Sequence, residues 1–257
     1  MRVMSDFSRE WLTLREPADA DARADDLLIP LRVHLGARDL VIRDLGSGTG
    51  SMARWLSPRL LTPHRWVLTD RDPVLLADAA VPGAVTELRD LTSLTPEDLE
   101  GTSLVTGSAL LDLLTEEEVT RLAEVCVKAR CPALFVLSVV GKVDLDPPDP
   151  LDEAVTRAFN AHQRRTVEGR SPLGPDAVTV MARVFEDLGA TVHRGPSPWR
   201  LGPDRPELAT AWLQGWLGAA CDQDEELAGA AGAYLRRRLA GPLHATVHHE
   251  DLLAIPG

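Results

Sequence analysis

Hydrophobic and polar positions change period several times along the chain, and each change predicts an element. Residues 5 to 35 read as helices. Ser8 is placed to cap the first, in "SREWL". In "EPADADARADDLLIPLRVHL", Pro17 sits near a helix start and Leu27, Leu28, Leu31 and Leu35 supply the apolar positions. "DLVIRDL" then predicts a short strand, followed by a glycine-rich turn and a helix from about Ser51. "RWVLTD" predicts a second strand, and "DPVLLADAA" a helix with Asp72 as cap and Pro73 at its first position. "GAVTEL" and "TSLVTGS" predict the third and fourth strands, and "EEEVTRLAEVCVKA" a helix. "PALFVLSVV" is apolar throughout, as a central parallel strand buried on both faces must be.

Strand alternating with helix five times predicts a doubly wound α/β sheet. After Val140 the pattern loosens. "GKVDLDPPDP" reads as a loop, and "LDEAVTRAFNAHQRRTVEG" and "GPDAVTVMARVFEDLGA" as helices. "TVHRGPSPWRL" offers a sixth strand, residues 206 to 240 are helical, and "LHATVHHEDLLAIP" offers a last strand with "TVH" as its middle. One domain over residues 1–257 follows, with helices in 1–37 and a ligand-binding half in 38–142. Residues 143–172 and 202–240 are helical insertions that cap one end of the sheet. Open α/β sheets bind ligands at the carboxyl ends of their strands, so such insertions are placed to form a lid.

The net charge of −12 is a poor match to a nucleic-acid backbone. The one basic run, Arg236 to Arg238, reads as a solvated helix face. "MRVMSDFSREW" lacks the apolar core of a signal peptide, and no run reaches the roughly 18 apolar residues of a membrane span. Cys126, Cys131 and Cys221 are odd in number and lack C-x-x-C spacing, so they read as small buried hydrophobes. A cytoplasmic protein without nucleic-acid or membrane partners is the expectation; the oligomeric state is open.

Gly46, Gly48 and Gly50 follow the first strand and open a helix, where glycine permits tight turning and close approach to a ligand. The Gly-Lys-Ser/Thr of a phosphate-cradling loop is absent. Asp44 ends the first strand, Asp70 the second, and Asp90 follows the third. Asp44 would repel a pyrophosphate, which disfavours a nicotinamide dinucleotide. Three carboxylates suit a ligand with a cationic amine and sulfonium, ribose hydroxyls and an adenine amino group: S-adenosylmethionine.

These residues resemble the motifs of class I S-adenosylmethionine-dependent methyltransferases of the bacterial small-molecule type. "DLGSGTG" resembles the first motif, with Asp44 in its acidic position and Gly46, Ser47, Gly48 and Gly50 in the turn. "VLTDRDP" resembles the second, which implies that Asp70 holds the ribose hydroxyls with Arg71 beside it. "LRDL" resembles the third, which implies Asp90 at the adenine amino group and Leu91 against the ring; a solvent-facing Asp90 is the alternative. "LVTGSALLDLL" resembles the fourth-strand segment, which implies Ser108 near the cofactor or acceptor. The resemblance covers about residues 38 to 140 and implies a Rossmann-like, seven-stranded sheet. No Asn-Pro-Pro-Tyr signature of amino methylation is present. A hydroxyl acceptor on a small molecule is therefore favoured. The alternative is a regulatory protein that binds the adenosyl ligand and transfers nothing.

Methyl transfer needs an aligned acceptor and, for a hydroxyl, a proton acceptor. In "AFNAHQRR", Phe159 and His162 share a helix face, which makes His162 the candidate base and Phe159 a pocket residue. Ser108 and Asp112, four apart, likewise share a face. Trp199, beyond the sixth strand, is expected to line the acceptor pocket with Asp112 and Phe159, and Trp212 and Trp216 to pack in the core. "HHED" at 248 to 251 is a weak metal pattern, because strand neighbours face opposite ways, and no metal is expected. Arg43, odd in a buried strand, is expected to pair with an acid.

Overall fold

The computed structural model describes residues 8–257. In chain order its elements are α1 (Arg9–Ala22), α2 (Leu28–Leu35), β1 (Leu40–Leu45), α3 (Ser51–Leu56), β2 (His64–Asp70), α4 (Pro73–Ala77), β3 (Val85–Leu88), β4 (Leu104–Ser108), α5 (Glu116–Lys128), β5 (Ala133–Asp146), α6 (Asp152–Gln163), α7 (Ala177–Asp187), β6 (Thr191–Pro196), β7 (Trp199–Leu201), α8 (Pro206–Gln223), α9 (Glu225–Leu239) and β8 (His244–Ile255). Short 3-10 turns link several of them.

One mixed sheet runs in the order β3-β2-β1-β4-β5-β8-β6, with β7 joined to β8. The first five strands are parallel, and β8 is antiparallel to both β5 and β6. The apolar core divides on its two faces. One side holds Ile42, Leu68, Leu134 and Leu253 with residues of α1–α4, α6, α8 and α9. The other holds Leu45, Val105, Phe135 and Leu252 with α5 and α7. The doubly wound α/β class read from the sequence is the observed one. The local signals behave as their chemistry dictates: Ser8 accepts the Trp11 N–H at 3.2 Å, and Asp72 accepts the Val74 N–H at 2.8 Å. A Thr115/Glu118 capping box starts α5.

Four expectations are corrected. The sheet has eight strands because "TVHRGPSPWRL" is split: β6 stops at Pro196, and the chain steps along β8 before pairing again as β7. Residues 141–146 are strand, not loop. Val143 and Leu145 pack inward while Lys142, Asp144 and Asp146 face out, and this end of β5 pairs with the first half of β8. Pro17 lies inside α1, whose docked inner face holds the helix together through the missing hydrogen bond. Arg238 is buried rather than solvated, bonding the Pro147 carbonyl and Asp152; of its neighbours, Arg237 pairs with Asp149 at 2.7 Å.

The outer ends of β5, β7 and β8 thus form a small antiparallel flap beyond the carboxyl edge of the parallel strands, with α6 and α8 packed beside it. Register shifts between Phe135 and Ser138 and between Val139 and Val143 bend β5 as it leaves the main sheet.

Candidate functional site

The carboxyl edge of the parallel strands gathers the acids and glycines. At Gly50 a side chain is excluded twice over: φ is +85°, and an added Cβ would lie 2.6 Å from Val81. Asp44 is 1% exposed and accepts the Thr106 hydroxyl at 2.7 Å. Burial pushes its carboxyl up to about 7, against the opposing pull of Thr106 and Arg23. Asp70 accepts the Gly48 N–H at 2.8 Å and the Asp72 N–H at 2.9 Å, so its carboxylate locks the glycine turn against β2. Ser47 is buried beside them with an unpartnered hydroxyl. Arg71 and Asp90 are exposed and Leu91 is half-buried. Asp90 caps a 3-10 turn by accepting the Thr92 N–H at 2.9 Å. Arg43 pairs with Glu87 and donates to Thr69 at 3.2 Å, as its place in a buried strand demanded.

Helix α1 lies over this turn. Leu12 packs 3.4 Å from where a Gly48 side chain would begin, and Glu16 bonds Arg54 at 2.6 Å. The chain then turns at Arg23, which is 4% exposed and bridges Ser108 at 3.1 Å and Ser51 at 3.3 Å. Its Nε and Nη1 are buried with no acceptor among the described residues. Burial lowers its pKa, opposed by Asp19, Asp251 and Asp44. A buried guanidinium with two idle donors at the end of β4 has room in its bonding for an anion.

Beyond Arg23, the inner face of α1 meets the flap. Arg15 bonds Asp19 at 2.9 Å and lies 4.9 Å over the Trp199 ring, while Trp199 Nε1 donates to Asp19 at 2.9 Å. Trp11 and His249 flank Trp199 with ring centroids at 6.3 and 5.4 Å. His249 is 6% exposed and its Nδ1 is unpartnered. Burial drives its pKa down to about 3, with Arg15 adding to the shift. Asp112 follows β4 in a 3-10 turn, and Thr115 caps the next helix. Burial raises the Asp112 carboxyl, with Arg15 the opposing charge. Trp199 thus lies under Arg15, and the Arg15 charge is felt at both Asp112 and His249.

His162 and Phe159 sit elsewhere on the cap. His162 belongs to the Val155/Ala158 face of α6 and is 7% exposed. Its pKa is lowered by burial and then by Arg165, with Asp222 at the end of α8 opposing. Phe159 is half-buried against the main core. Neither shares a hydrogen bond with the glycine turn or with Asp112. Trp212 and Trp216 stack at 5.4 Å within the core. The four residues of "HHED" have separate partners: His248 meets Asp144 at 2.6 Å, His249 Trp199, Glu250 Arg194 at 2.6 Å, and Asp251 the backbone.

Sequence reasoning passed over Arg15, Asp19 and Arg23, and weighed His249 and Asp251 only as part of a metal pattern. One signal was legible: Trp11, Arg15, Asp19 and Arg23 recur every four residues, a polar-aromatic stripe on one helix face. His249 and Asp251 carry no such mark, because their setting depends on which strands flank β8.

No protein-family profile and no curated protein matches the chain. Solved structures do. An S-adenosylmethionine-dependent methyltransferase from Geobacter sulfurreducens, in complex with S-adenosyl-L-homocysteine, is 13% identical with a TM-score of 0.50, covering 99% of this chain and 100% of its own. The YcgJ protein from Bacillus subtilis is 13% identical with a TM-score of 0.51 over 90% of this chain and 97% of its own. This chain has the methyltransferase fold. The cyclopropane synthase MmaA2 from Mycobacterium tuberculosis shares it too, at 11% identity and a TM-score of 0.50 over 97% and 95% of the two chains.

Proposed function

We propose that this protein transfers the methyl group of S-adenosylmethionine to a hydroxyl of a small molecule. The observation that carries the reading is the cluster at the carboxyl ends of the strands, where the left-handed glycine turn, the buried Asp44, the strand-end Asp70 and the idle guanidinium of Arg23 come together. Its chemistry fits an α-amino acid joined to a nucleoside. Asp44 meets the ammonium and Arg23 the carboxylate of the amino-acid part. Asp70 meets the ribose hydroxyls, with Arg71, Asp90 and Leu91 toward the adenine. Ser47 and Ser108 supply hydroxyls along the amino-acid side. When bound, S-adenosylmethionine supplies a methyl carbon activated by its sulfonium.

The acceptor is assigned to the neighbourhood of Arg15, with Asp112, Trp199 and His249 as the groups that meet it. Arg15 is already paired with Asp19, so it orients rather than binds. Asp112 holds the proton released by the acceptor hydroxyl; a carboxyl raised by burial is a better base than an exposed one. His249, neutral at ordinary pH, accepts a hydrogen bond through Nδ1. The Trp199 ring gives the acceptor an apolar wall. His162, on the buried face of α6, is not assigned the proton.

The test is turnover with methyl-labelled S-adenosylmethionine against matched hydroxyl, amine and thiol acceptors. Label in ethers that falls at least tenfold in Asp112→Asn supports the reading. Label confined to amines contradicts the hydroxyl acceptor. Unimpaired ether formation by Asp112→Asn removes that carboxylate as base.

A further inference from the structure

Asp251 is fully buried on β8, outside the crevice, yet it is tied to both walls that hold Arg23. Its Oδ2 accepts the Ala24 N–H at 2.8 Å, on the residue directly after Arg23. Its Oδ1 accepts the Leu137 N–H at 2.7 Å and the Ser197 hydroxyl. Leu137 lies at the bend of β5 with a left-handed φ of +59°. That bend directly follows Val136, which pairs with Ser108 and whose carbonyl accepts the Ala109 N–H at 2.9 Å. Ser108 in turn accepts from Arg23. One carboxylate therefore fixes the backbone that launches the Arg23 side chain and the strand end that receives it.

The fit at Ala24 is close. A side chain at Gly195 would begin 2.9 Å from the Ala24 Cβ, so β6 lets the end of α1 settle onto the sheet there. Asp251 also faces Arg23 as one of the three acids that offset its burial. A buried carboxylate surrounded by three donors resists rearrangement, since each donor would be left unpaired.

We propose that Asp251 is a positioning residue that aims Arg23 at the carboxylate of the cofactor's amino-acid part. This rests on the reading of the crevice given above. Asp251 touches no part of the cofactor. Its effect travels through Arg23, so it acts on ligands that carry the amino-acid group and spares ligands that lack it.

Two probes separate these cases: S-adenosylhomocysteine, which has the amino acid, and 5′-methylthioadenosine, which has the nucleoside and sulfur without it. Asp251→Asn keeps the shape but turns one acceptor into a donor facing a donor. Ala24→Pro, at a φ of −74° that proline adopts, removes the N–H that Asp251 accepts and sets a ring methylene against its carboxylate, which breaks the same link from the other side and serves if the first variant does not fold. Calorimetry on either should find S-adenosylhomocysteine binding weakened about tenfold or more, the size of one charge-assisted hydrogen bond. Binding of 5′-methylthioadenosine should stay within about twofold of wild type. In an Arg23→Ala background the effect of Asp251→Asn on S-adenosylhomocysteine should vanish, because the two act as one unit. Equal losses for both probes, or no loss for either, overturn the proposal while leaving the cofactor reading intact. A wild-type protein that binds neither probe overturns that reading and the proposal with it.

Discussion

The floor of the crevice and its roof are built by different means. On the floor, β1, β2 and the glycine turn satisfy most of their polar groups with near neighbours in space: Asp70 with the Gly48 and Asp72 amides, Asp44 with Thr106, Arg43 with Glu87 and Thr69, leaving the Ser47 hydroxyl and the Arg43 Nε without partners among the described residues. On the roof, α1 and the flap leave donors and acceptors idle, at Arg23 and His249. Buried polar groups without partners are costly, and a scaffold keeps them where a ligand completes the bonding. On the proposed reading, the floor holds the nucleoside and the ammonium of the cofactor, and the roof supplies Arg23 for its carboxylate and His249 for the acceptor.

The comparison breaks most visibly at Gly50. Gly50→Val forces a β-branched residue into a left-handed conformation and against Val81, at a cost of about 3–5 kcal/mol in strain and overpacking. A thermal melt of the unliganded protein should show that loss; an unchanged melting temperature would mean that the floor is softer than its geometry implies.

Arg23→Ala does the reverse. It removes a guanidinium whose own bonding is half idle, so the unliganded fold should hold. Affinity for S-adenosylhomocysteine should fall by about 2–4 kcal/mol, the worth of the charge-assisted hydrogen bonds that the guanidinium makes to a carboxylate. A destabilised protein with undiminished affinity would make Arg23 a structural cation instead.

A smaller effect distinguishes the two regions by pH. Asp44 is raised from the ordinary carboxylate range to about 7. The folded state therefore holds a proton that the unfolded chain has released between about pH 4 and 7. This group's contribution to stability is complete below about pH 4 and is lost as pH rises through about 7. Affinity for a ligand bearing an ammonium moves the other way, gaining up to about 1.4 kcal/mol per pH unit below 7 and levelling above it. Titration of S-adenosylhomocysteine at several pH values, with Asp44→Asn as the flat control, checks the sign. His249 should contribute no step there, since it stays neutral to about 3.

Much of the floor was legible because its signals are local. A strand, a glycine turn and a strand-end acid lie within a few residues of one another, and Asp72 and Ser8 cap helices through chain neighbours. The roof was not, because its contacts span the chain. Trp199 meets Asp19, and Asp251 meets Ala24 and Leu137. The alternation of Val143 and Leu145 was masked by the prolines that follow. His162 shares no hydrogen bond with the glycine turn, and nothing in α6 alone tells which of its faces is buried. The smallest expected effect concerns how the roof is fastened. Glu16→Ala removes a partly exposed pair with Arg54 and should cost under about 1 kcal/mol of stability. It should nonetheless speed association of S-adenosylhomocysteine in stopped flow, because α1 covers the glycine turn; an unchanged rate would mean that ligands enter without lifting α1.

The cofactor reading itself is tested most directly by titrating the wild-type protein with S-adenosylhomocysteine and with NAD in one calorimetric series. Saturable one-to-one heat with S-adenosylhomocysteine and none with NAD is the predicted result, since a carboxylate at the mouth of the glycine turn repels a pyrophosphate. Binding of NAD with no response to S-adenosylhomocysteine would contradict it.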